Sequence, residues 1–184
     1  MNASASFTGS IEPREFRNVL GRFASGVTIV TTELDGQIHG MTANAFMSVS
    51  LDPPLVLVSV NRRANMHHLL ASSGCYGVSI LSVAQQVVSN HFAGRPVEGL
   101  TVSFVRKCNV PVVDGAVAHL IARVVDQHEA GDHTLYIGQV EYLDCRDGQP
   151  LLFYAGKYRQ LDAERLRPSP WPEEDFLLFS ISNF

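Results

Sequence analysis

The 184-residue chain is poor in cysteine: Cys75, Cys108 and Cys145 are odd in number and far apart, and no Cys-x-x-Cys pair occurs. That excludes a disulfide framework and a thiolate metal cluster, leaving buried thiols in a reducing compartment. Long apolar runs are also missing. The longest, 53–60, has strand length, far below the roughly 20 residues of a membrane helix. Residues 1–10 carry neither a basic start nor an apolar core, so no signal peptide is expected, and a cytoplasmic location with no membrane association follows. Charge of one sign is scarce too. With 14 basic and 18 acidic residues the net charge is −4, and the basic residues form no sustained cluster, so no nucleic-acid partner is expected.

Several catalytic signatures are absent. No Gly-x-Gly-x-x-Gly follows the first strand, and there is no Walker loop, Gly-x-Ser-x-Gly elbow or His-Glu-x-x-His. Rossmann, P-loop, serine-hydrolase and zincin chemistry are thereby set aside. Neighbouring His67 and His68 point about 100° apart on a helix, so no metal is expected there and a solvated helix surface accounts for them.

What is present reads as one domain. A chain of this length can bury about two thirds of its unfolded surface, and a hydrophobic fraction of 46% is ordinary. Pro13 opens a helix to Phe23, with Phe16, Val19, Leu20 and Phe23 at helical spacing. Residues 27–33 are rich in β-branched side chains and read as a strand, Asp35-Gly36 is a hairpin turn, and a strand runs over 37–47. After a Leu51-Asp52-Pro53-Pro54 turn, 55–60 predicts a strand buried on both faces. A helix over 64–72 ends at Gly74, a strand covers 76–81, and Ser82 with Gln85 forms a capping box for a helix reaching Phe92. An edge strand at 100–104, two long strands at 116–128 and 133–143, and a last strand at 151–154 complete the pattern. Many short antiparallel strands with two or three small helices predict a mainly β fold, closed or partly closed as a barrel. Prolines 168, 170 and 172 forbid regular helix in the tail. Residues 1–160 are therefore expected to form the domain, with 161–184 an apolar tail packing on it or on a partner subunit.

Thr42, Ala43 and Asn44 sit at a strand end, where Thr and Asn offer donors and acceptors to a pyrimidine-like edge and Ala allows close approach. Ser48 and Ser50 alternate onto one face beside them. A polar outer strand face is the competing account. Ser59, Asn61, Arg62 and Arg63 follow a hydrophobic strand and suit a phosphate, or else form a charged turn. His133 follows a β-turn beside Asp132, where its ring could contact a substrate or help position it, or is a surface histidine. Tyr154, Gly156, Lys157 and Tyr158 close the last strand and could stack on a nucleotide, or only cover the end of the fold.

Four segments together resemble the small flavin reductases that serve two-component flavin-dependent monooxygenases. They are Phe23-Ala24-Ser25-Gly26-Val27-Thr28-Ile29-Val30-Thr31, Gly40-Met41-Thr42-Ala43-Asn44-Ala45-Phe46 with Ser48-Val49-Ser50 and Asp52-Pro53-Pro54-Leu55, Phe92-Ala93-Gly94, and Gly131-Asp132-His133 with Ile137-Gly138. The resemblance implies a split β-barrel of Greek-key type, a homodimer, and a flavin across loops at the barrel rim. It implies that Thr42, Ala43 and Asn44 hold the isoalloxazine edge, with Ser48 and Ser50 lining the cleft. Ser59, Val60, Asn61 and Arg62 would face the ribityl chain and phosphate, and Phe92 would wall the site. His133 would stand beside the nicotinamide, near Tyr154, Gly156 and Tyr158.

The implied reaction is hydride transfer from NADH to FMN or FAD, with reduced flavin handed to a monooxygenase. The choice of flavin, and NADPH as donor, stay open. So do two other functions: a protein that keeps its flavin as an electron carrier or oxidase, and a non-catalytic partner-binding barrel.

Overall fold

The computed structural model describes residues 10–162. Pro13–Leu20 forms α1, with Pro13 in its first turn, and it stops three residues short of the expected end. A two-residue strand, Ser25–Gly26 (β1), precedes Thr28–Leu34 (β2) and Gln37–Ala43 (β3). Asp35 and Gly36 both take positive φ, 51° and 75°, as a two-residue turn matching strand twist requires. The strand expected over 37–47 is two strands. β3 pairs with β2, whereas Phe46–Leu51 (β4) pairs with Pro54–Asn61 (β5), so Asn44 and Ala45 form a corner between different neighbours.

Asn65–Ser73 (α2) ends at Gly74 in the left-handed region, whose N–H bonds the Leu70 carbonyl at 3.1 Å. Cys75–Ile80 (β6) follows. The capping box forms as expected: the Ser82 N–H donates to Gln85 Oε1 at 3.0 Å. A single 3₁₀ turn then leads into Gln86–Phe92 (α3). The strand expected at 100–104 is instead a hairpin of Phe104–Lys107 (β7) and Val110–Val113 (β8). Its turn puts Cys108 and Asn109 at positive φ, a geometry that a cysteine does not advertise. Ala118–Ala130 (β9) and His133–Cys145 (β10) are the two long strands. Leu152–Tyr154 (β11) and Lys157–Arg159 (β12) close the described chain.

Seven antiparallel strands form one sheet in the order β3-β2-β6-β9-β10-β5-β4. Its edges are β3 and β4, and among the described residues no ladder joins them. β1-β11-β12 and β7-β8 are separate small sheets. The structure therefore corrects the split Greek-key barrel: over the described residues the fold is mainly β with three short α-helices, and no sheet among them closes. Turns and alternation specify which consecutive strands pair. Closure needs the first and last strands of the sheet to meet in register, and no local pattern encodes that.

The main core gathers Val30, Val56, Val58, Val60, Met66, Leu70, Tyr76, Val78 and Tyr136. β5 alternates, with Val56, Val58 and Val60 buried and Leu57, Ser59 and Asn61 half-buried, so the expectation of burial on both faces does not hold. Gly138 in β10 is required by packing. A Cβ there would collide with the Tyr76 Oη and come within 2.8 Å of Ala122 Cβ. A second core of Val27, Ile29, Leu81, Val113 and Leu151 lies under Phe92, Phe104, Phe153 and Tyr158. The apolar tail expectation for 161–184 falls, from residue 163 on, outside the described residues. No described helix is long and apolar enough to cross a membrane.

Candidate functional site

β5 and β10 set the first part of the site. Their register places Asn61 opposite His133 and Ser59 opposite Leu135. Alternation puts Ser59, Asn61 and His133 on one face, away from the core that takes Val58 and Val60. Val60 is fully buried in the core, backbone included.

The Gly131-Asp132 turn delivers a carboxylate to this face. Asp132 Oδ1 lies 2.8 Å from His133 Nδ1, and Oδ2 lies 3.5 Å from Asn61 Nδ2. A carboxylate only accepts, so Nδ1 carries the hydrogen and Nε2 is left for a ligand. The hydrogen bond from His133, helped by the nearby Arg63 charge, holds the Asp132 carboxyl below the usual carboxylate range. Asn61 Oδ1 accepts the Arg63 N–H at 2.9 Å, and the Arg62 N–H donates to the Asp132 carbonyl at 3.0 Å. The Arg62 guanidinium is exposed and 3.5 Å from Glu129.

The β3–β4 corner reaches the same strand end, because the Ser59 N–H donates to the Ala45 carbonyl at 3.0 Å. Ala43 is buried and its carbonyl accepts the Thr28 hydroxyl at 2.8 Å. The Thr42 hydroxyl is already used. It donates to the Ser89 carbonyl at 2.7 Å, and the Ser89 hydroxyl lies 2.8 Å from Tyr158 Oη. Thr42 and Tyr158 thus tie β3 and β12 to α3, and what Thr42 can offer a ligand is edge-strand backbone. Phe92 is committed to packing as well. Its ring fills the dent over Gly40, where a Cβ would come within 2.7 Å of it, and lies edge-on to Phe104.

Asn44 and Gly156 meet elsewhere, on a cavity of about 800 Å³ between α1 and the β11–β12 hairpin. Ala155 and Gly156 make that hairpin's turn in the left-handed region. Tyr154 is half-buried opposite Lys157. Ser48 and Ser50 do not share a face. A bulge between them sets Ser48 opposite Val56 and Ser50 opposite Leu55, and these partners alternate. Ser50 is also six residues down β5 from Asn61, about 20 Å at strand rise.

The structure therefore brings together Ser59, Asn61, Arg62 and His133, and separately Asn44 and Gly156. It leaves Ser48, Ser50, Phe92 and Tyr158 apart from His133. Sequence reasoning passed over the Asp132 carboxylate, although its place beside His133 was a visible signal. It also passed over Ser89, for which helical position gave none. His67 differs from the solvated surface expected of it: Nδ1 lies 2.9 Å from Tyr136 Oη, and its carbonyl accepts that hydroxyl at 2.8 Å. Among the described residues, no three His, Cys, Asp or Glu side chains converge as metal ligands. Cys108 and Cys145 are exposed, not buried; Cys75 is half-buried, and burial raises its thiol pKa.

Comparison with known proteins bears on this geometry. An NADH-dependent flavin reductase from a Rhodococcus species is 53% identical over 164 residues, covering 88% of this chain and 93% of the relative. The reductase component of 4-hydroxyphenylacetate 3-monooxygenase from Thermus thermophilus is 43% identical, covering 79% of this chain and 95% of its own. The solved structure of flavin reductase PheA2 in its native state superposes with a TM-score of 0.80 at 49% identity, covering 82% of this chain and 99% of that one. The model of the flavin reductase like domain matches residues 20–162, a span that holds every residue of the His133 cluster and the Asn44 corner; the chain belongs to that family.

Proposed function

We propose that the protein is an NADH-dependent flavin reductase that passes reduced flavin to a monooxygenase component. The observation that carries this reading is the 53% identity to an NADH-dependent flavin reductase over 88% of the chain. The Thermus relative, a monooxygenase reductase component, supports the onward partner.

The residues fit such ligands. The site offers neutral donors and acceptors, an open cavity with aromatic lining, and cations at its margin, and it offers no nucleophile–base pair. When bound, nicotinamide supplies a hydride from C4 and flavin accepts it at N5. The chain's task is placement and charge. His133, with Nδ1 fixed on Asp132, presents Nε2 to the nicotinamide. Asn61 braces that pair and, with Ser59 and Arg62, faces the flavin's ribityl and phosphate groups. Backbone at Thr42 and Ala43, with the Asn44 side chain, meets the isoalloxazine edge. The Arg62 and Arg63 side chains supply positive charge without a closed pocket, so product leaves freely. FMN and FAD both suit this arrangement.

The protein functions as a homodimer. β4 supports this: as an edge strand it exposes Met47, Val49 and Leu51, a feature that proteins normally cover. Light scattering at micromolar concentration reads the assembly directly, and a strict monomer contradicts it.

The test of function is NADH and NADPH oxidation with FMN, FAD and riboflavin in turn. Rapid NADH-driven turnover with an added flavin is expected. His133→Ala, assayed by anaerobic stopped flow, is expected to slow flavin reduction or weaken NADH binding at least tenfold with an unchanged melting curve. An unaltered rate and NADH affinity would remove His133 from this role.

A further inference from the structure

α1 carries an apolar stripe that no element among the described residues buries. Phe16, Val19 and Leu20 are each more than half exposed, Phe23 is 81% exposed, and no residue of α1 is buried. A stripe at this spacing normally packs on its own core. Here it borders the cavity of about 800 Å³, within the usual range of small-molecule sites. The exposure of Phe23 is built in. Main-chain bonds from Gly21, Arg22 and Phe23 to Arg17, Val19 and Leu20, at 2.9, 3.0 and 3.0 Å, fix the turn that carries it. The Ala155 N–H also donates to the Gly21 carbonyl at 2.8 Å, joining α1 to the hairpin opposite. The two walls are thus held at a set separation before any ligand arrives.

We infer that α1 and the turn after it form one wall of the flavin site, with Phe16 and Phe23 against the isoalloxazine ring and Phe153 on the hairpin side. This rests on the flavin-reductase reading and extends it to Phe16, which lies ahead of the family-matched residues. The cavity's chemistry selects a planar, polar-edged, electron-accepting ring. Phenyl side chains offer large flat contact. Asn44 offers both a donor and an acceptor to a ring edge. Arg17 and Arg22 border the cavity and set positive charge beside a ring that becomes anionic on reduction. Val19, equally apolar and exposed, does not line the cavity. That separates a ligand wall from a face that a second copy of the chain would cover.

Fluorescence titration with riboflavin, FMN and FAD, with thermal melting in parallel, tests the inference on Phe16→Ala, Phe23→Ala, their double variant and Val19→Ala. The ring is common to all three flavins. Phe23→Ala and the double variant are therefore expected to weaken all three by a similar factor, about tenfold for the double, without lowering the flavin-free melting temperature. Val19→Ala should bind as wild type does. Unchanged flavin affinity in the double variant, with wild type binding and reducing flavin normally, overturns the wall and leaves the functional reading standing. Dissociation of a dimer by Val19→Ala and Phe16→Ala with unaltered flavin affinity also overturns it, and assigns the stripe to a subunit contact. A wild-type protein that neither binds nor reduces any flavin sinks both the inference and the reading beneath it.

Discussion

Gly138→Ala is expected to destabilise the protein by about 2 kcal/mol, and the reason is a single crowded contact. Gly138 lies in β10, the strand that begins at His133, on the face that also buries Thr134 and Tyr136. A methyl there would overlap Tyr76 Oη and stand 2.8 Å from both Tyr76 Cζ and Ala122 Cβ. Tyr76 and Ala122 are fully buried, so neither can swing into solvent. Overpacking of this kind costs about 1–3 kcal/mol, here near the upper end because both neighbours are fully buried, and roughly 0.5–1 kcal/mol is regained by replacing a strand glycine. The net loss would lower the melting temperature by about 6 °C for a domain of this size.

The same contact makes a second variant informative. Tyr76 Oη is buried with no hydrogen-bond partner, and burial raises its pKa. Tyr76→Phe removes that unpaired hydroxyl and is expected to stabilise by about 1 kcal/mol. It also removes the nearest obstacle to the methyl that Gly138→Ala introduces. The double variant should therefore recover at least about 1 kcal/mol beyond additivity. Urea titration of the four proteins measures the cycle. Single effects that add within about 0.5 kcal/mol, or a Tyr76→Phe variant clearly less stable than wild type, would refute the packing argument.

Three further outcomes follow from the structure. Ser82→Ala loses one half of a capping box and should cost about 1 kcal/mol of stability by denaturant titration; no loss would mean the cap is idle. Thr42→Val should lower the melting temperature by a few degrees, since its hydroxyl bonds the Ser89 carbonyl, while flavin affinity changes less than about twofold; a large affinity loss would return that hydroxyl to the ligand. The Asp144 carboxyl is held well below its ordinary value, first by Lys107 at 2.7 Å, with Tyr142 and His119 also bonded to it and burial opposing. Its folded pKa is depressed, so its stabilisation is complete above the ordinary carboxylate range and lost as pH falls below about 4 toward the folded value. Asp144→Asn should flatten the acid limb of a stability–pH curve, and an unchanged limb would contradict the pairing.

Local chemistry was legible in the sequence wherever a residue type has one geometric use. Asp35-Gly36, Gly74 and the Ser82–Gln85 box sit where turn, C-cap and N-cap rules place them. The Cys108–Asn109 hairpin was not legible, because its turn residues carry no comparable signal. Nor was the break at Asn44-Ala45, where β-forming residues continue on both sides and only the choice of partner strand changes. Sheet closure fails for the same reason, being decided between β3 and β4 at opposite ends of the sheet order. In the site, Ser59, Asn61 and His133 could be grouped because two strand ends carry them. Strict alternation does not hold across Ser48 and Ser50, since a bulge at Val49 shifts the register. The Thr42 hydroxyl and the Phe92 ring read as ligand contacts in sequence, and each turns out to have a partner inside the fold.

Anaerobic mixing of the purified protein with stoichiometric NADH and excess FMN or FAD tests whether the protein reduces and releases flavin. One oxidised flavin is expected to be lost for each NADH consumed, at a rate far above the uncatalysed background, with the product recovered in the filtrate as free reduced flavin. Flavin that stays oxidised while the protein remains folded, or NADH consumption no faster than without protein, would contradict it.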